Sequence, residues 1–371
     1  MNLQATKTKT LHALLFFLLL FSCGKDENTT QKSVPKEYEG FGSITAGGTG
    51  KQIVHVTNLN ATGDGSLHDA IGSNRIIVFD IGGIITDFQW DSSDEFPVTN
   101  MTIDGSTAPS PGITLDNVNS ANCLSFQDGC HDIIVKNVRA RNAAGDGFNV
   151  VNGYNIIFDH VSVSGSGDGN IDITAGAYNV TVQNSIIGGG QPGWAGAMLI
   201  AYEGTRNISI HHNLFISRSP AGVGERNPCI HCSDNINTTN MMVDFRYNIV
   251  WNWGANGGTG YGYGSAIDYG GTANFVNNFY QTTGVMYDNP IEFNHNSTNA
   301  RGYLSGNISG NAGINPNSLS NHDQWIIPEW AQVPAEKTCE AATSVLSHAG
   351  CQPLDVIDQG LVQQVSLANC K

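Results

Sequence analysis

Three aspartates have side chains that could act together in this chain. Asp146, Asp168 and Asp172 lie in glycine-rich segments, and two of them share the segment Asp168-Gly-Asn-Ile-Asp172. Carboxylates without histidine or cysteine beside them favour a hard, oxygen-binding ion, most simply Ca²⁺. The other interpretation is that all three cap loops and face solvent, and the residues alone leave both open.

A fourth candidate is Arg226, in the segment Gly222-Val-Gly-Glu-Arg226-Asn-Pro228. This segment lengthens the connection between two repeats, and inserted loops are where a repetitive scaffold places functional residues. We expect Arg226 to rise beside the aspartates. A surface salt bridge with Glu225 or Asp234 is the alternative.

The elements that must position these residues form a repeat. Six β-branched runs end in Asn or His, at Asn137, His160, Asn184, Asn213, Asn248 and Asn278. The steps are 23, 24, 29, 35 and 30 residues, so a base period near 23 with insertions indicates a solenoid of short strands. We predict an all-β, single-stranded, right-handed parallel β-helix. The six end residues are expected to stack at one corner, which assigns His160 to a structural ladder.

Stacking brings the aspartates together. Asp146 lies nine residues after Asn137, and Asp168 lies eight after His160, so both take nearly the same place in consecutive coils. Coils stack about 4.8 Å apart, and like charges that close raise one pKa or recruit a cation. Glycines in Gly165-Ser-Gly-Asp-Gly169 allow a bend that turns Asp172 toward the other two.

The sequence predicts packed segments at both ends of the β-helix and a targeting segment at the N-terminus. A short helix at 65–71 is expected to close the first coil, and a tail of about 300–371 is expected to pack on the coils, within one domain of residues 40–371. At the N-terminus, Lys7 and Lys9 precede eleven apolar residues, which fits a signal segment and is too short to span a bilayer.

The end of that apolar run, Leu20-Phe21-Ser22-Cys23, resembles a bacterial lipobox. It predicts a signal peptide of residues 1–22, lipidation at Cys23 and a tether of residues 23–39. The protein would then be an exported outer-membrane lipoprotein, and it would be displayed on the cell surface if Gly24–Glu27 acts as an export signal. An ordinary signal peptide with a chance cysteine is the alternative.

Seven cysteines remain after Cys23, so at least one has no intramolecular partner. Proximity suggests Cys123–Cys130, Cys229–Cys232 and one pair among the last three, Cys339, Cys351 and Cys370. The pair Cys229 and Cys232 could instead bind a metal, although a lone CxxC is a weak zinc signal.

The charge balance narrows the possible partners. The formal net charge is −15, which excludes the basic field of a nucleic-acid-binding protein. A polyanionic substrate would need a local basic patch or a bound cation. We expect a monomer.

Several motifs, taken in order, resemble the pectate lyases of the first polysaccharide-lyase family. They are Thr102-Ile-Asp-Gly105, Asp159-His160, Asp168-Gly-Asn-Ile-Asp172, His212-Asn213-Leu-Phe215, Arg226-Asn-Pro228, Tyr247-Asn248, Asn252-Trp-Gly254 and Ala349-Gly-Cys-Gln-Pro353. The resemblance spans roughly residues 40 to 360. It implies a Ca²⁺ site at Asp146, Asp168 and Asp172, catalysis by Arg226, and β-elimination on polygalacturonate.

The sequence departs from this family at two substrate-binding positions. The family's lysine is missing near Gln191 or Pro192, and its second arginine is replaced by His231. Substrate contacts are therefore assigned to His231, Arg218 and Trp194. Trp194, Trp251 and Trp253 could line a sugar platform or serve packing.

The resemblance implies that Arg226 removes the proton on C5 of a uronate while Ca²⁺ holds the carboxylate. A free guanidinium keeps its proton at ordinary pH, so we expect an alkaline optimum. The competing functions are a non-catalytic surface glycan-binding protein and a hydrolase or lyase acting on another uronate. A hydrolase needs a carboxylic acid and a carboxylate around a water, and the polygalacturonase signatures Asn-Thr-Asp and Gly-His-Gly are absent.

Overall fold

Parallel strands in three sheets build the protein. The computed structural model describes Met1 and residues 37–93, 96–119, 122–188, 196–216, 226–231, 241–254, 263–283, 289–293 and 299–371. Residues Tyr38–Lys371 form one compact unit. In the described residues each strand pairs with the equivalent strand of the next coil. The predicted all-β parallel β-helix is therefore confirmed.

The three sheets run side by side through the stack of coils. Sheet A contains Gln52–Val56, Arg75–Phe79, Thr99–Asp104, His131–Lys136, Tyr154–Asp159, Tyr178–Gln183, Arg206–His211, Val243–Arg246, Thr272–Val276 and Arg301–Ser305. Sheet B contains Gly83–Thr86, Ile113–Asp116, Val138–Arg141, Ser162–Ser164, Ile186–Gly188, Leu214–Ile216, Ile249–Trp251, Phe279–Gln281 and Ile308–Ser309. Sheet C contains Trp90–Asp91, Leu124–Phe126, Phe148–Val151, Gly169–Thr174, Gly196–Ala201, Cys229–His231, Ser265–Asp268 and Ile291–Phe293.

In the part of the chain that the structure describes, the α-helices are few and lie toward the two ends of the unit Tyr38–Lys371. The predicted capping helix is Leu67–Ala70, and the Ser66 side chain accepts from the Asp69 amide at its start. The other α-helices are Thr338–His348 and Val356–Val362, with 3₁₀ turns at Phe41–Ile44, Gly105–Thr107 and Glu329–Ala331. No helix in the described part of the chain is long and apolar enough to cross a membrane.

Alternating side chains of the strands fill the interior. One inward row of sheet A reads Val135, Phe158, Val182, Ile210, Phe245 and Phe275. All six are fully buried, and the rings of Phe245 and Phe275 lie 5.0 Å apart. Because each coil buries its apolar residues only against its neighbours, the period of the sequence sets the core. The coils also continue past residue 282, where the sequence pattern fades, through Ile291–Phe293, Arg301–Ser305 and Ile308–Ser309.

A ladder of asparagine side chains runs inside one corner, between sheets A and B. The Oδ1 of Asn248 accepts from the Asn213 amide at 3.0 Å, and the Oδ1 of Asn278 accepts from the Asn248 amide at 2.9 Å. Asn307 and Asn317 continue the ladder. Each amide side chain thus satisfies backbone groups that the bend leaves unpaired.

The predicted membership of this ladder is wrong by one position for Asn137, His160 and Asn184. The register pairs Lys136, Asp159, Gln183 and His211 across consecutive strands, so the next residues form a separate row. That row contains Asn137, His160, Asn184, His212, Tyr247 and Asn277, all left-handed with φ between 50° and 59°. His160 has a structural place there, with its Nδ1 2.9 Å from Asp159 Oδ1.

Both ends of the unit Tyr38–Lys371 pack on the coils. At the N-terminal side, the amides of Phe41 and Gly42 donate to Ser209 and Thr181 of sheet A at 3.0 and 2.8 Å. The C-terminal tail packs on sheet B, as predicted for the tail. Its buried Asp358 lies 2.7 Å from the Arg141 guanidinium.

The disulfide pattern differs from the proximity argument. Cys339 and Cys370 are bonded, which confirms one pair among the last three cysteines. Cys123 and Cys130 are separate buried thiols, so that predicted pair is wrong. The strand Leu124–Phe126 lies between them, and their sulfurs contact different neighbours, the Leu115 carbonyl and the Val98 amide. Cys232, the predicted partner of Cys229, lies outside the described residues.

Candidate active site on sheet C

Sheet C carries the predicted acidic residues. In its strand Gly169–Thr174, Ile171 and Ile173 point into the core and are fully buried. Asp172 alternates with them and therefore points outward. Its register neighbours are Asn149 in the preceding coil and Leu199 in the following coil. The outer surface of sheet C thus presents Asp172 in the middle of the β-helix.

Hydrogen bonds hold the Asp146 carboxylate in place just before the strand Phe148–Val151. Its Oδ1 accepts from the Gly169 amide at 2.8 Å, and its Oδ2 accepts from the Asn149 side-chain amide at 2.6 Å. The Asp146 amide donates to Asn122 Oδ1 at 2.8 Å. These bonds tie Asp146 directly to the start of the next coil, where Asp168 and Asp172 lie.

Gly169 makes room for the Asp172 carboxylate. A Cβ atom at position 169 would lie 2.1 Å from Asp172 Oδ1, so a side chain there would displace the carboxylate. The same Oδ1 accepts from the Leu199 amide at 3.0 Å. Asp168, one residue before this glycine, is exposed at the turn. The predicted bend is therefore present, with Gly165 in the left-handed region at φ 79°.

The three carboxylates interact electrostatically. Burial raises the pKa of Asp172 well above its ordinary value, and the charges of Asp146 and Asp168 raise it further. Burial also raises the pKa of Asp146, and the charge of Asp168 adds to this effect. Such a set favours either protonation or a bound cation. Within the described residues, however, no three acidic, histidine or cysteine side chains already converge as a metal-binding group.

Arg226 lies beside this cluster. Its backbone is left-handed, at φ 60°, and its carbonyl accepts from the Met198 amide at 2.9 Å. Its side chain crosses Gly196, where a Cβ atom would lie 2.5 Å from Arg226 Cδ. Gly196 is the register partner of Gly169, so Arg226 and Asp172 lie over adjacent glycines, and the arginine charge lowers the pKa of Asp172. The structure thus brings Arg226 to the aspartates, as expected.

The segment after Arg226 is held by the next coil. The Asn227 amide donates to the Gly264 carbonyl at 2.9 Å, and the Asn227 carbonyl accepts from the Ser265 hydroxyl. Arg226 as a whole residue is half-buried. A salt bridge with Glu225 or Asp234, the alternative explanation, involves residues outside the described set.

His231 lies at the end of a sheet C strand, between two tyrosines. The ring of Tyr202 approaches it edge-on at 5.7 Å and that of Tyr269 at 5.8 Å. An imidazole and two aromatic rings thus lie on three consecutive coils, at the ends of neighbouring sheet C strands. The other predicted substrate contacts, Arg218 and Trp194, lie outside the described residues.

Two further tryptophans are explained by packing. Trp251 and Trp253 are 3% and 1% exposed, so neither forms a sugar platform. Conversely, sequence reasoning missed Asn149. Its position three residues after Asp146 carried no signal on its own, because its role depends on the strand register.

A parallel β-helix with an acidic cluster and an arginine on one sheet defines the class of polysaccharide-degrading solenoid enzymes. Searching family profiles gave no match. Among curated proteins, the chain is 32% identical over 349 residues to "Probable pectate lyase C" of Aspergillus terreus, covering 88% of this chain and 75% of the relative. The protein of the same name from Emericella nidulans is 32% identical over 371 residues, covering 96% and 80%.

Solved structures show the same fold. A thermostable pectate lyase matches with a TM-score of 0.61 at 13% identity, covering 87% of this chain and 99% of that one. The pectate lyase from Bacillus sp. N165 in complex with trigalacturonate gives 0.57 at 18%, covering 84% and 98%. The major allergen from cedar pollen gives 0.59 at 17%, covering 84% and 92%.

The chain belongs to the pectate lyase family. It is therefore an enzyme of the polysaccharide lyase class, as the sequence motifs predicted.

These relatives correct the predicted localisation. They are fungal proteins, whereas the prediction was a bacterial outer-membrane lipoprotein anchored through Cys23. The predicted bacterial outer-membrane localisation is therefore wrong, and the predicted membrane anchor has no support from these relatives. Cys23 and the rest of residues 2–36 lie outside the described residues.

Proposed function

We propose that this protein is a calcium-dependent pectate lyase that cleaves polygalacturonate by β-elimination. The observation that carries the proposal is the position of Arg226 over Gly196, beside Asp172 and its acidic neighbours Asp146 and Asp168. A base next to a carboxylate cluster is what elimination from a uronate requires, since the substrate carboxylate must be held while a neighbouring proton leaves.

The distribution of cations supports a metal ion on this face. Among the described lysines and arginines, Arg226 is the one that lies beside the aspartates of sheet C, three residues before the strand Cys229–His231. Lys136, Arg206 and Arg246 belong to sheet A, and Arg139 and Arg141 lie under the tail on sheet B. The described residues thus supply one arginine beside this acidic surface, and a bound cation would balance the charge of a polyanion there.

The residues that would hold Ca²⁺ are Asp146, Asp168 and Asp172. Their oxygens are the hard ligands that this ion prefers, and their mutual repulsion falls when a divalent cation binds. When bound, Ca²⁺ would supply charge withdrawal from the uronate carboxylate, which acidifies the proton on C5. Exposed Asp168 is free to turn toward the ion, whereas Asp146 and Asp172 are held by backbone amides.

Arg226 acts in this proposal as the base. It takes the proton from C5, and the electron pair of that bond forms the double bond between C4 and C5. The C4–O bond breaks with its electron pair on the oxygen of the leaving sugar, which takes a proton from solvent water. Only a neutral guanidine accepts a proton, so the rate is expected to rise toward alkaline pH. His231, Arg218 and Trp194 are assigned to substrate binding, with His231 supported by its place between Tyr202 and Tyr269.

Arg226→Lys tests the assignment. We expect loss of cleavage, because the shorter, single-point ammonium cannot occupy the guanidine position. Calcium affinity, measured by isothermal titration calorimetry, should stay near the wild-type value because Arg226 is not a ligand. Wild-type turnover in this variant would exclude Arg226 as the base.

A further inference from the structure

Asn149 stands between the two buried aspartates of the proposed calcium site. It pairs with Ser125 on one side and with Asp172 on the other, in the outward row of sheet C. Adjacent strands lie about 4.8 Å apart, so its side chain is an immediate neighbour of the Asp172 side chain. Asp146, three residues earlier, lies within hydrogen-bond distance.

The two ends of the Asn149 amide have different surroundings. Its Nδ2 donates to Asp146 Oδ2 at 2.6 Å. Its Oδ1 is buried and has no hydrogen-bond partner in the described structure. The reversed amide would place two acceptors against each other at 2.6 Å, so the bond to Asp146 fixes the orientation. A buried acceptor without a partner costs about 1–3 kcal/mol, which calls for a ligand on that oxygen.

The members of this row in the two preceding coils, Asp91 and Ser125, already have hydrogen-bond partners. Gln127 Nε2 donates to both carboxylate oxygens of Asp91, at 2.8 and 2.9 Å, and to Ser125 Oγ at 3.1 Å. The outward row therefore has internal partners at Asp91 and Ser125, and an open oxygen first appears at Asn149. That position coincides with the carboxylate cluster.

We propose that Asn149 is a fourth protein ligand of the calcium site, through Oδ1, and that its Nδ2 holds Asp146 in place for the same ion. An amide oxygen is an ordinary calcium ligand. The inference rests on the proposed function, since it requires calcium at this cluster.

The test measures calcium binding without substrate. Isothermal titration calorimetry with CaCl₂ would compare the wild-type chain with Asn149→Ala, Asn149→Asp and the control Asn152→Ala. Asn152 follows the same strand and bonds Asp128 at 2.8 Å, away from the cluster. We expect about 10–100-fold weaker binding for Asn149→Ala and an unchanged constant for Asn152→Ala.

Asn149→Asp separates ligation from positioning. It keeps an oxygen for the ion and loses the donor to Asp146, so we expect it to bind calcium more tightly than Asn149→Ala. Equal weakening of both variants would show that only the bond to Asp146 matters and would overturn the ligand role. Terbium luminescence decay in H₂O and D₂O adds an independent readout, with one more bound water expected on the ion in Asn149→Ala.

The outcomes also separate this inference from the proposed function. A wild-type chain that binds no calcium overturns the calcium site as a whole. A wild-type chain that binds calcium, together with an Asn149→Ala variant of equal affinity, overturns the role of Asn149 alone. Circular dichroism of each variant confirms that the comparison is between folded chains.

Discussion

Gly196→Ala is the substitution that tests the placement of Arg226 without touching a charged group. The new Cβ would lie 2.5 Å from Arg226 Cδ, 2.9 Å from its Cβ and 3.1 Å from its Cγ. Carbon atoms in contact prefer about 3.5–4.0 Å, so the arginine must move by about 1 Å. Rotating the far end of the side chain does not relieve the clash, because the Cβ of Arg226 is also too close.

A displacement of about 1 Å at a reacting group costs roughly 100-fold in rate. We therefore expect kcat on polygalacturonate to fall by about two orders of magnitude in Gly196→Ala, with calcium affinity unchanged. The assay follows ultraviolet absorbance of the unsaturated product, and calorimetry gives the calcium constant.

The partner glycine provides the matched comparison. In Gly169→Ala the new Cβ would lie 2.1 Å from Asp172 Oδ1, so calcium affinity should fall along with the rate. Gly360→Ala, where a Cβ meets nothing within 4 Å, should change neither. If Gly196→Ala is folded and turns over like the wild type, the argument that Gly196 positions a catalytic Arg226 is refuted.

Two further predictions concern stability. His211 is fully buried, and burial together with the charges of His212 and Arg246 lowers its pKa well below 6.5. Below pH 6.5 the unfolded chain therefore takes up a proton at this histidine that the native chain does not. The free energy of unfolding should fall as the pH drops below 6.5, with a slope of up to about 1.4 kcal/mol per pH unit from this group. His211→Asn should flatten the acid side of a urea-denaturation series, and an unchanged slope would exclude His211 as its source. Asn248→Ala removes a member of the interior ladder and leaves the Asn213 amide and the Ile210 carbonyl unpaired. Because buried unpaired groups are costly, we expect the free energy of unfolding to fall by about 2 kcal/mol relative to the control Asn152→Ala. A fall no greater than in that control would argue against the ladder as a stabilising element.

Much of the architecture was predictable because it is periodic. The step of about 23 residues between Asn137, His160 and Asn184 reflects stacked coils, and stacking alone places Asp146 near Asp168. The disulfide among the last three cysteines follows from a similarly local pattern. Arg226 was found because its loop interrupts the period.

What could not be predicted depends on register and on three-dimensional surroundings. Asn137, His160 and Asn184 lie one residue before the position that Asn213 takes in the ladder, and only the pairing of Gln183 with His211 shows this offset. Cys123 and Cys130 are close in sequence but lie on either side of a strand. Asn149 has no motif of its own, since its open oxygen arises from the bond that its nitrogen makes to Asp146.

The central claim is calcium-dependent elimination at the cluster of Asp146, Asp168, Asp172 and Arg226. Its most direct test is to incubate the purified protein with polygalacturonate, with Ca²⁺ or with a chelator, and to follow both unsaturated product and reducing ends. We predict that both appear together with Ca²⁺ and that neither appears with the chelator. Reducing ends without ultraviolet absorbance would mean hydrolysis, absence of both would mean a binding protein, and unsaturated product in the chelator would contradict the calcium dependence.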